Sequence, residues 1–301
     1  MAGDNTVYNV PFRAPALPYA PQVYNQETFE QFNNVLRIYF NQLDNALRNA
    51  MAVQEPYELQ VAKGQIAGAS TLYKFGTNPD VNGTEETVWS TGGNYPWPAA
   101  AFTAFISSSS AADTSAGTGA QTVTVEGVDE NYAVQTVTVN MNGQTQVQLG
   151  DASGWLRINR IFVATSGSGG TAAGTIYVAN SGVSSGVPTG VTYGHIVQGE
   201  NQSQIAVYTV PAGFTLYVDD VTFTAAIAIA NKNVTAKFVT RDFGSNTFRT
   251  KIIQTVQSNL LVLPFHYPFS IAEKTDMECR ASSDTTNVVV GASFEGVLIA
   301  N

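Results

Sequence analysis

Val137-Thr-Val-Asn-Met-Asn-Gly-Gln-Thr-Gln-Val-Gln-Leu149 reads as β structure. Val137, Val139 and Met141 alternate with polar residues, as they would on a strand with one buried face, and Val147 and Leu149 resume the alternation. Asn142-Gly143 between them supplies the two positive-φ positions of a tight turn, so the sequence predicts a hairpin here. The same reading extends outward. Val123 and Val125 alternate with Thr, and strands are predicted over 155–163, 175–178, 205–210, 214–218, 234–239 and 288–299. Pro211-Ala-Gly213 between two of them has the chemistry of a tight turn. Frequent short strands with Gly-rich connections predict a mainly β region from about Val61, an antiparallel β-sandwich or jelly roll. It divides near residue 190 into lobes 61–190 and 191–301, or runs as one jelly-roll domain over 61–301. The Ser- and Gly-rich stretches Ser107 to Gly119 and Ser166 to Gly190 are expected to be exposed loops or a lobe boundary.

The N-terminal sixty residues differ in kind. Residues 1–25 interleave Pro11, Pro15, Pro18 and Pro21 with Val10, Phe12, Leu17 and Tyr19, a pattern that excludes helix and central strand. They are expected to form an extended arm, with Val10, Phe12, Pro15, Leu17, Pro18 and Tyr19 anchoring it on another protein surface or on its own domain. Asn25 suits an N-cap and Glu27 a first helical turn, and no Pro or Gly interrupts the chain from there to Ala52. Phe29, Phe32, Leu36, Tyr39, Leu43, Ala46 and Ala50 follow one another at spacings of three and four, the a/d seam of three heptads. Residues 26–60 are therefore read as an amphipathic oligomerisation helix with its linker, suited to a homotrimer. The alternative is a helix laid across its own β domain.

Composition narrows the function classes. Of 301 residues only 12% are Asp, Glu, Lys or Arg, and the formal net charge is −9. That balance argues against a phosphate-tracking surface and hence against nucleic acid as a partner. Eight acids and no base lie between Lys74 and Arg157, namely Asp80, Glu85, Glu86, Asp113, Glu126, Asp129, Glu130 and Asp151, and they read as a solvated acidic face. One cysteine excludes an intrachain disulfide, and two histidines leave no His/Cys zinc site, so no cofactor or metal is expected. The N-terminus lacks the pattern of a signal peptide, and no run of 18 apolar residues occurs, so neither secretion by a signal peptide nor membrane insertion is expected.

Catalytic patterns fail on context. Gly182-Val-Ser184-Ser-Gly186 fits G-x-S-x-G, but Pro188 and Gly190 follow where the nucleophile elbow needs a helix. His195 and His266 read as ordinary hydrogen-bonded residues and Cys279 as a buried small side chain. Tyr95 and Trp97, beside Pro96 and Pro98, are candidate ligand-facing aromatics able to stack on sugar rings, or else core. No catalytic residue is assigned, and an enzyme is not expected.

Tyr24-Asn-Gln-Glu-Thr-Phe29 and Leu36-Arg-Ile-Tyr-Phe-Asn-Gln-Leu-Asp44 resemble the N-terminal element of structural proteins in marine and cyanobacterial tailed phages. Lys74-Phe-Gly-Thr-Asn-Pro79, Glu86-Thr-Val-Trp89, Asp113 with Gly117-Thr-Gly119, Val139-Asn-Met-Asn-Gly-Gln144, Leu156-Arg-Ile158, Tyr208-Thr-Val-Pro-Ala-Gly213 and Glu273-Lys-Thr-Asp276 are similar to a widespread group of phage virion proteins. The resemblance implies a bacteriophage virion component, synthesised in the host cytoplasm: a capsid decoration protein, head fibre or tail fibre subunit. Its implied partners are further copies of itself and other capsid or tail proteins. A host-attachment module that binds a receptor or surface glycan is the alternative.

Overall fold

In a computed structural model, residues 22–52, 55–150, 154–227, 229, 232–257 and 260–301 are described. The anchoring residues Val10, Phe12, Pro15, Leu17, Pro18 and Tyr19 lie outside them. The chain divides into two units, residues 1–67 and 68–301.

The first unit carries the expected helix, Gln26–Ala52. Asn25 caps it as its sequence position predicts, its Oδ1 accepting the backbone N–H groups of Glu27 at 2.9 Å and Thr28 at 3.4 Å. Phe32, Leu36, Tyr39, Leu43 and Ala46 of the seam are half-buried, while Phe29 is 56% exposed. Ala50 is helical, but its side chain lies outside the described set. No described side chain of this helix is fully buried within the chain. A second, short helix, Tyr57–Ala62, follows Pro56 where the sequence predicted only linker and strand.

The second unit is mainly β, and every strand pair among its described residues is antiparallel. Two sheets share one core. The first runs in the order Ala69–Val81, Val288–Ala300, Phe214–Ala226, Leu260–Ile271. The second runs Val207–Thr209, Asp276–Ser283, Val234–Arg241, Arg249–Val256, with Glu86–Thr87 also pairing Asp276–Ser283. Alternate residues face inward, as period-two burial requires: Val234, Ala236 and Phe238 from one sheet meet Val290, Ala292 and Phe294 from the other. The Phe238 and Phe294 rings lie 5.2 Å apart. Cys279 is wholly buried in this core, and burial pushes its thiol pKa well up, which makes it an inert packing residue.

A second core fills residues 102–196, between the first and second strands of that sandwich. Its sheets are Val134–Asn140, Ala120–Val128, Arg157–Ser166, and Thr192–Ile196, Ile176–Ala179, Phe105–Ser108, Val147–Gln148. Trp155 is fully buried there and donates its indole N–H to the Leu149 carbonyl at 3.1 Å. The two cores are nested in sequence, the second drawn from residues that lie between the first and second strands of the sandwich. Strand Ala69–Val81 pairs with Val288–Ala300, joining the two ends of the unit, and residues 102–196 form a lobe set into the sandwich.

The predicted hairpin at Asn142-Gly143 is corrected. Val134–Asn140 pairs with Ala120–Val128, whereas Val147–Gln148 pairs with Phe105–Ser108 in the other sheet. Gly143 has the positive φ its turn demands, at 58°, but its N–H goes to the Asp113 carbonyl at 2.7 Å. The turn is a corner between sheets because a neighbouring loop captures it. Pro211-Ala-Gly213 likewise turns the chain, with Gly213 at φ 78°, between strands of different sheets.

That capturing loop is only in part the exposed segment expected of Ser107 to Gly119: Ala111, Ser115, Ala116 and Thr118 are exposed. Ser107 and Ser108 are buried in a strand, and Asp113 is completely inaccessible. The Asp113 carboxylate accepts four hydrogen bonds: from Ala120 N at 2.6 Å, Ala173 N at 2.8 Å, Gly174 N at 2.9 Å and Ser108 Oγ at 2.5 Å. A side chain on Gly119 would sit 2.1 Å from this carboxylate, so that glycine is obligatory. Asp113→Ala leaves those donors without their anion and is expected to cost about 3 kcal/mol in urea unfolding. A loss below about 1 kcal/mol would show that the loop holds itself.

The stretch Ser166 to Gly190 also holds a buried strand, Ile176–Ala179. Gly182 to Gly186 falls on the small hairpin Val183–Ser184 with Val187–Pro188, Ser185 and Gly186 taking φ of 49° and 79° at its tip. This is a hairpin turn and not a strand-to-helix elbow.

Candidate functional site

The inserted lobe and the sandwich are joined by a buried ion cluster. Strand Arg157–Ser166 places Arg157 at its start, and strand Asp276–Ser283 places Asp276 at its start. Arg157 grips both Asp276 oxygens, Nε to Oδ1 at 2.9 Å and Nη2 to Oδ2 at 3.0 Å, with each side chain only 5% exposed. Its remaining donor goes to the carbonyls of Pro98 and Leu156, both at 2.8 Å. Asp276 also accepts Arg241 Nη2 at 2.5 Å and Thr209 Oγ1 at 2.6 Å. Burial works against the Arg157 charge, but the Asp276 contact wins and holds the guanidinium more firmly protonated than usual. One carboxylate therefore serves two guanidinium groups and leaves a net positive charge.

Around this cluster four turns converge on a cleft of about 240 Å³. Trp97 forms part of its wall, with Arg157 and Arg241 stacked 5.3 and 5.2 Å from its ring. Tyr132 arrives on the turn that follows Asp129, whose Oδ1 accepts the N–H groups of Asn131 and Ala133, both at 2.8 Å. Phe243, 62% exposed, stands edge-on to Tyr132 at 5.6 Å, and Lys274 lies 5.1 Å from the Phe243 ring. Tyr132 and Lys274 are two of only four described non-glycine residues with positive φ, at 62° and 60°. Each is held there by a backbone bond to the segment entering the sandwich: Ala212 N to Tyr132 O at 2.9 Å, and Lys274 N to Val210 O at 2.8 Å. Left-handed backbone at non-glycine residues persists only where surroundings enforce it, and it clusters at functional sites.

Charge pairs continue along Asp276–Ser283. Glu278, 1% exposed in its side chain, bonds Arg280 Nε at 2.7 Å and Thr87 Oγ1 at 2.7 Å, and burial pushes its carboxyl pKa up. Arg280 and Lys237 both pair with Glu85; partial burial opposes the Glu85 charge, but these two cations hold its carboxyl below the usual range. Of the acids expected on one solvated face, Asp80 and Glu130 are exposed, while Asp113 is buried and Glu85 is half-buried against Arg280 and Lys237.

Of the two candidate aromatics, Tyr95 is 3% exposed. It packs edge-on between Trp89 and Trp97 at 5.3 and 4.9 Å, and its hydroxyl reaches the Ile158 carbonyl at 3.5 Å. Its ring belongs to the lobe junction and turns no open face to a ligand. Trp97 is half-buried and lines the cleft. His195 bonds Thr91 Oγ1 at 2.6 Å, and burial lowers its pKa to about 4. The cleft residues Arg157, Arg241, Tyr132, Phe243 and Lys274 carry no sequence signal of a site. Arg157, Lys274 and Asp276 do fall within Leu156-Arg-Ile158 and Glu273-Lys-Thr-Asp276, motifs already noted for their resemblance.

Lys74 is a second link between the lobes. It is 6% exposed and donates to the Asn159 carbonyl of the inserted lobe. Burial lowers its pKa from 10.5 to about 7, with Arg160 adding to the shift and Glu126 opposing it. Because the folded pKa lies below the unfolded value, the unfolded chain binds more protons between pH 7 and 10.5, and stability rises with pH across that window. Unfolding free energy is expected to increase by about 2 kcal/mol from pH 7 to 9. Lys74→Met should flatten that slope; an identical slope in both proteins would refute the assignment. Two residues on, a side chain at Gly76 would lie 2.3 Å from Ala206 N and 2.4 Å from Val88 O, so the strand passes too close to these backbones for any other residue.

No family model and no curated protein matches the sequence. Among solved structures, one of infectious bursal disease virus, Gt strain, aligns over 82% of this chain and 78% of that one, at 10% identity and a TM-score of 0.20. The crystal structure of the infectious bursal disease virus VP2 subviral particle aligns over 78% and 72%, at 9% identity and 0.21. Scores this low do not establish a common fold. No helix among the described residues is long and apolar enough to cross a membrane.

Proposed function

We propose that this chain is a non-catalytic structural component of a phage virion, a capsid decoration, head fibre or tail fibre subunit. Its N-terminal arm and helix mount it on the particle as a homotrimer, and its β unit is a jelly roll carrying an inserted lobe. The observation that carries the reading is strand order. Numbered along the chain, the eight sandwich strands Ala69–Val81, Val207–Thr209, Phe214–Ala226, Val234–Arg241, Arg249–Val256, Leu260–Ile271, Asp276–Ser283 and Val288–Ala300 form sheets ordered 1-8-3-6 and 2-7-4-5. The chain is therefore folded back on itself in the nested pairs 1·8, 2·7, 3·6 and 4·5, which supports a jelly roll, an architecture used by viral coat proteins and by lectins.

The helix supports the mounting role. Phe29, Ile38, Phe40 and Leu47 are between 48% and 59% exposed, more apolar surface than an isolated helix keeps in water without a partner. The apolar arm residues Val10, Phe12, Leu17 and Tyr19 add a segment suited to lying on a neighbouring protein. Purified particles provide the test. Peptides from this chain in amounts comparable to the coat protein, with antibodies to the β unit labelling intact particles, are expected; absence from washed particles would overturn the reading.

A further inference from the structure

We infer that the cleft between the inserted lobe and the sandwich binds a carboxylated monosaccharide unit, a uronate of a surface polysaccharide. This is a function beyond the mounting role and independent of it, since the cleft lies wholly within residues 68–301.

Charge argues for the carboxylate. In a chain of net charge −9, the cleft gathers Arg157, Arg241 and Lys274 against Asp276 and Asp242. Asp276 is consumed between the two arginines, and Asp242 is paired with Arg249 at 2.7 Å. Lys274 has no carboxylate partner among the described residues and meets only the Phe243 ring. The cleft is therefore cationic in an acidic protein, which concentrates anions at its mouth.

Rings and size argue for the sugar. Tyr132 and Phe243 flank the opening at an interplanar angle of 88°, so one presents a face where the other presents an edge. Such a pair offers an apolar surface to the C–H face of a pyranose while Lys274 reaches its carboxylate. A volume of about 240 Å³ falls below the roughly 300–1,000 Å³ of drug-sized sites and admits one small ring. The positive φ of Tyr132 and Lys274, held by backbone bonds, sets the direction in which both side chains leave the main chain toward the cleft.

The probes are methyl α-galacturonide and methyl α-galactoside, titrated into the full chain by saturation-transfer and chemical-shift NMR. Galacturonide is expected to bind with a Kd on the order of 1 mM, and galactoside at least about tenfold more weakly. Phe243→Ala and Lys274→Gln, neither of them in the buried ion pairs, should each weaken galacturonide at least about tenfold with unchanged melting temperature. Equal binding of both sugars would overturn the carboxylate role, and undiminished binding by both variants would overturn the site. No binding of galacturonide would overturn the inference outright. If acetate or a glutamate-containing peptide binds as well as galacturonide, the cleft takes an acidic side chain and the sugar assignment is wrong.

Discussion

Asp276→Ala is expected to be the most damaging single substitution in the β unit, costing about 4 kcal/mol in urea unfolding. Asp276 is nearly inaccessible and compensates two guanidinium groups, Arg157 from the inserted lobe and Arg241 from the sandwich. Its removal strands the Arg157 guanidinium, 5% exposed, without its partner and leaves Arg241, 19% exposed, only partly hydrated. A buried pair contributes little net stability over an apolar pair of the same shape, but half of a pair is strongly destabilising. Arg157→Met combined with Asp276→Leu should therefore cost less than the sum of the two single changes, since the double replacement leaves only Arg241, 19% exposed, to find water. Additive losses, or a single-mutant loss below about 1 kcal/mol, would show that the cluster does not hold the lobes together.

The second large effect concerns assembly. Leu36→Asp with Leu43→Asp places two charges on the seam of helix Gln26–Ala52 while sparing its cap at Asn25. The full chain is expected to sediment at three times the 32.0 kDa of one chain, and the double variant at one. The melting temperature of the β unit should stay the same, because none of its core residues lies on this helix. If the variant keeps its mass and the β unit instead melts earlier, the helix packs on its own β domain and the seam is not intermolecular.

What the sequence made legible divides along physical lines. Strands with one wet face, such as Val234–Arg241 and Val288–Ala300, announce themselves by alternation, and the helix announces both its seam and its cap. Strand Asp276–Ser283 is not among the predicted strands, although Met277, Cys279 and Ala281 alternate with Asp276, Glu278 and Arg280. Asp276 and Glu278 on its polar face are as buried as Met277 and Cys279 on the other, and Asp276 and Arg280 are neutralised by partners 35 to 195 residues away in sequence, pairing of which composition gives no sign. Leu260–Ile271 was hidden by Pro264 and Pro268, which an edge strand tolerates because its outer N–H groups need no ladder partner. The Asn-Gly turn was read correctly as a turn and wrongly as a hairpin, since local chemistry sets a turn's dihedrals while the Asp113 loop decides which strand follows it. The cleft was invisible for the same reason: Trp97, Tyr132, Phe243 and Lys274 on loops and Arg157, Arg241 and Asp276 at strand ends come together only when one lobe is inserted into the other.

Cryo-electron microscopy of particles bearing an affinity label on the inserted lobe, read against unlabelled particles, tests the central claim most directly. Labelled density is expected in threefold sets on the capsid or tail, with helical density against the particle and an eight-stranded sandwich held outward. Particles that lack the label, or that carry single copies seated by the β unit with the N-terminal helix facing solvent, would contradict it.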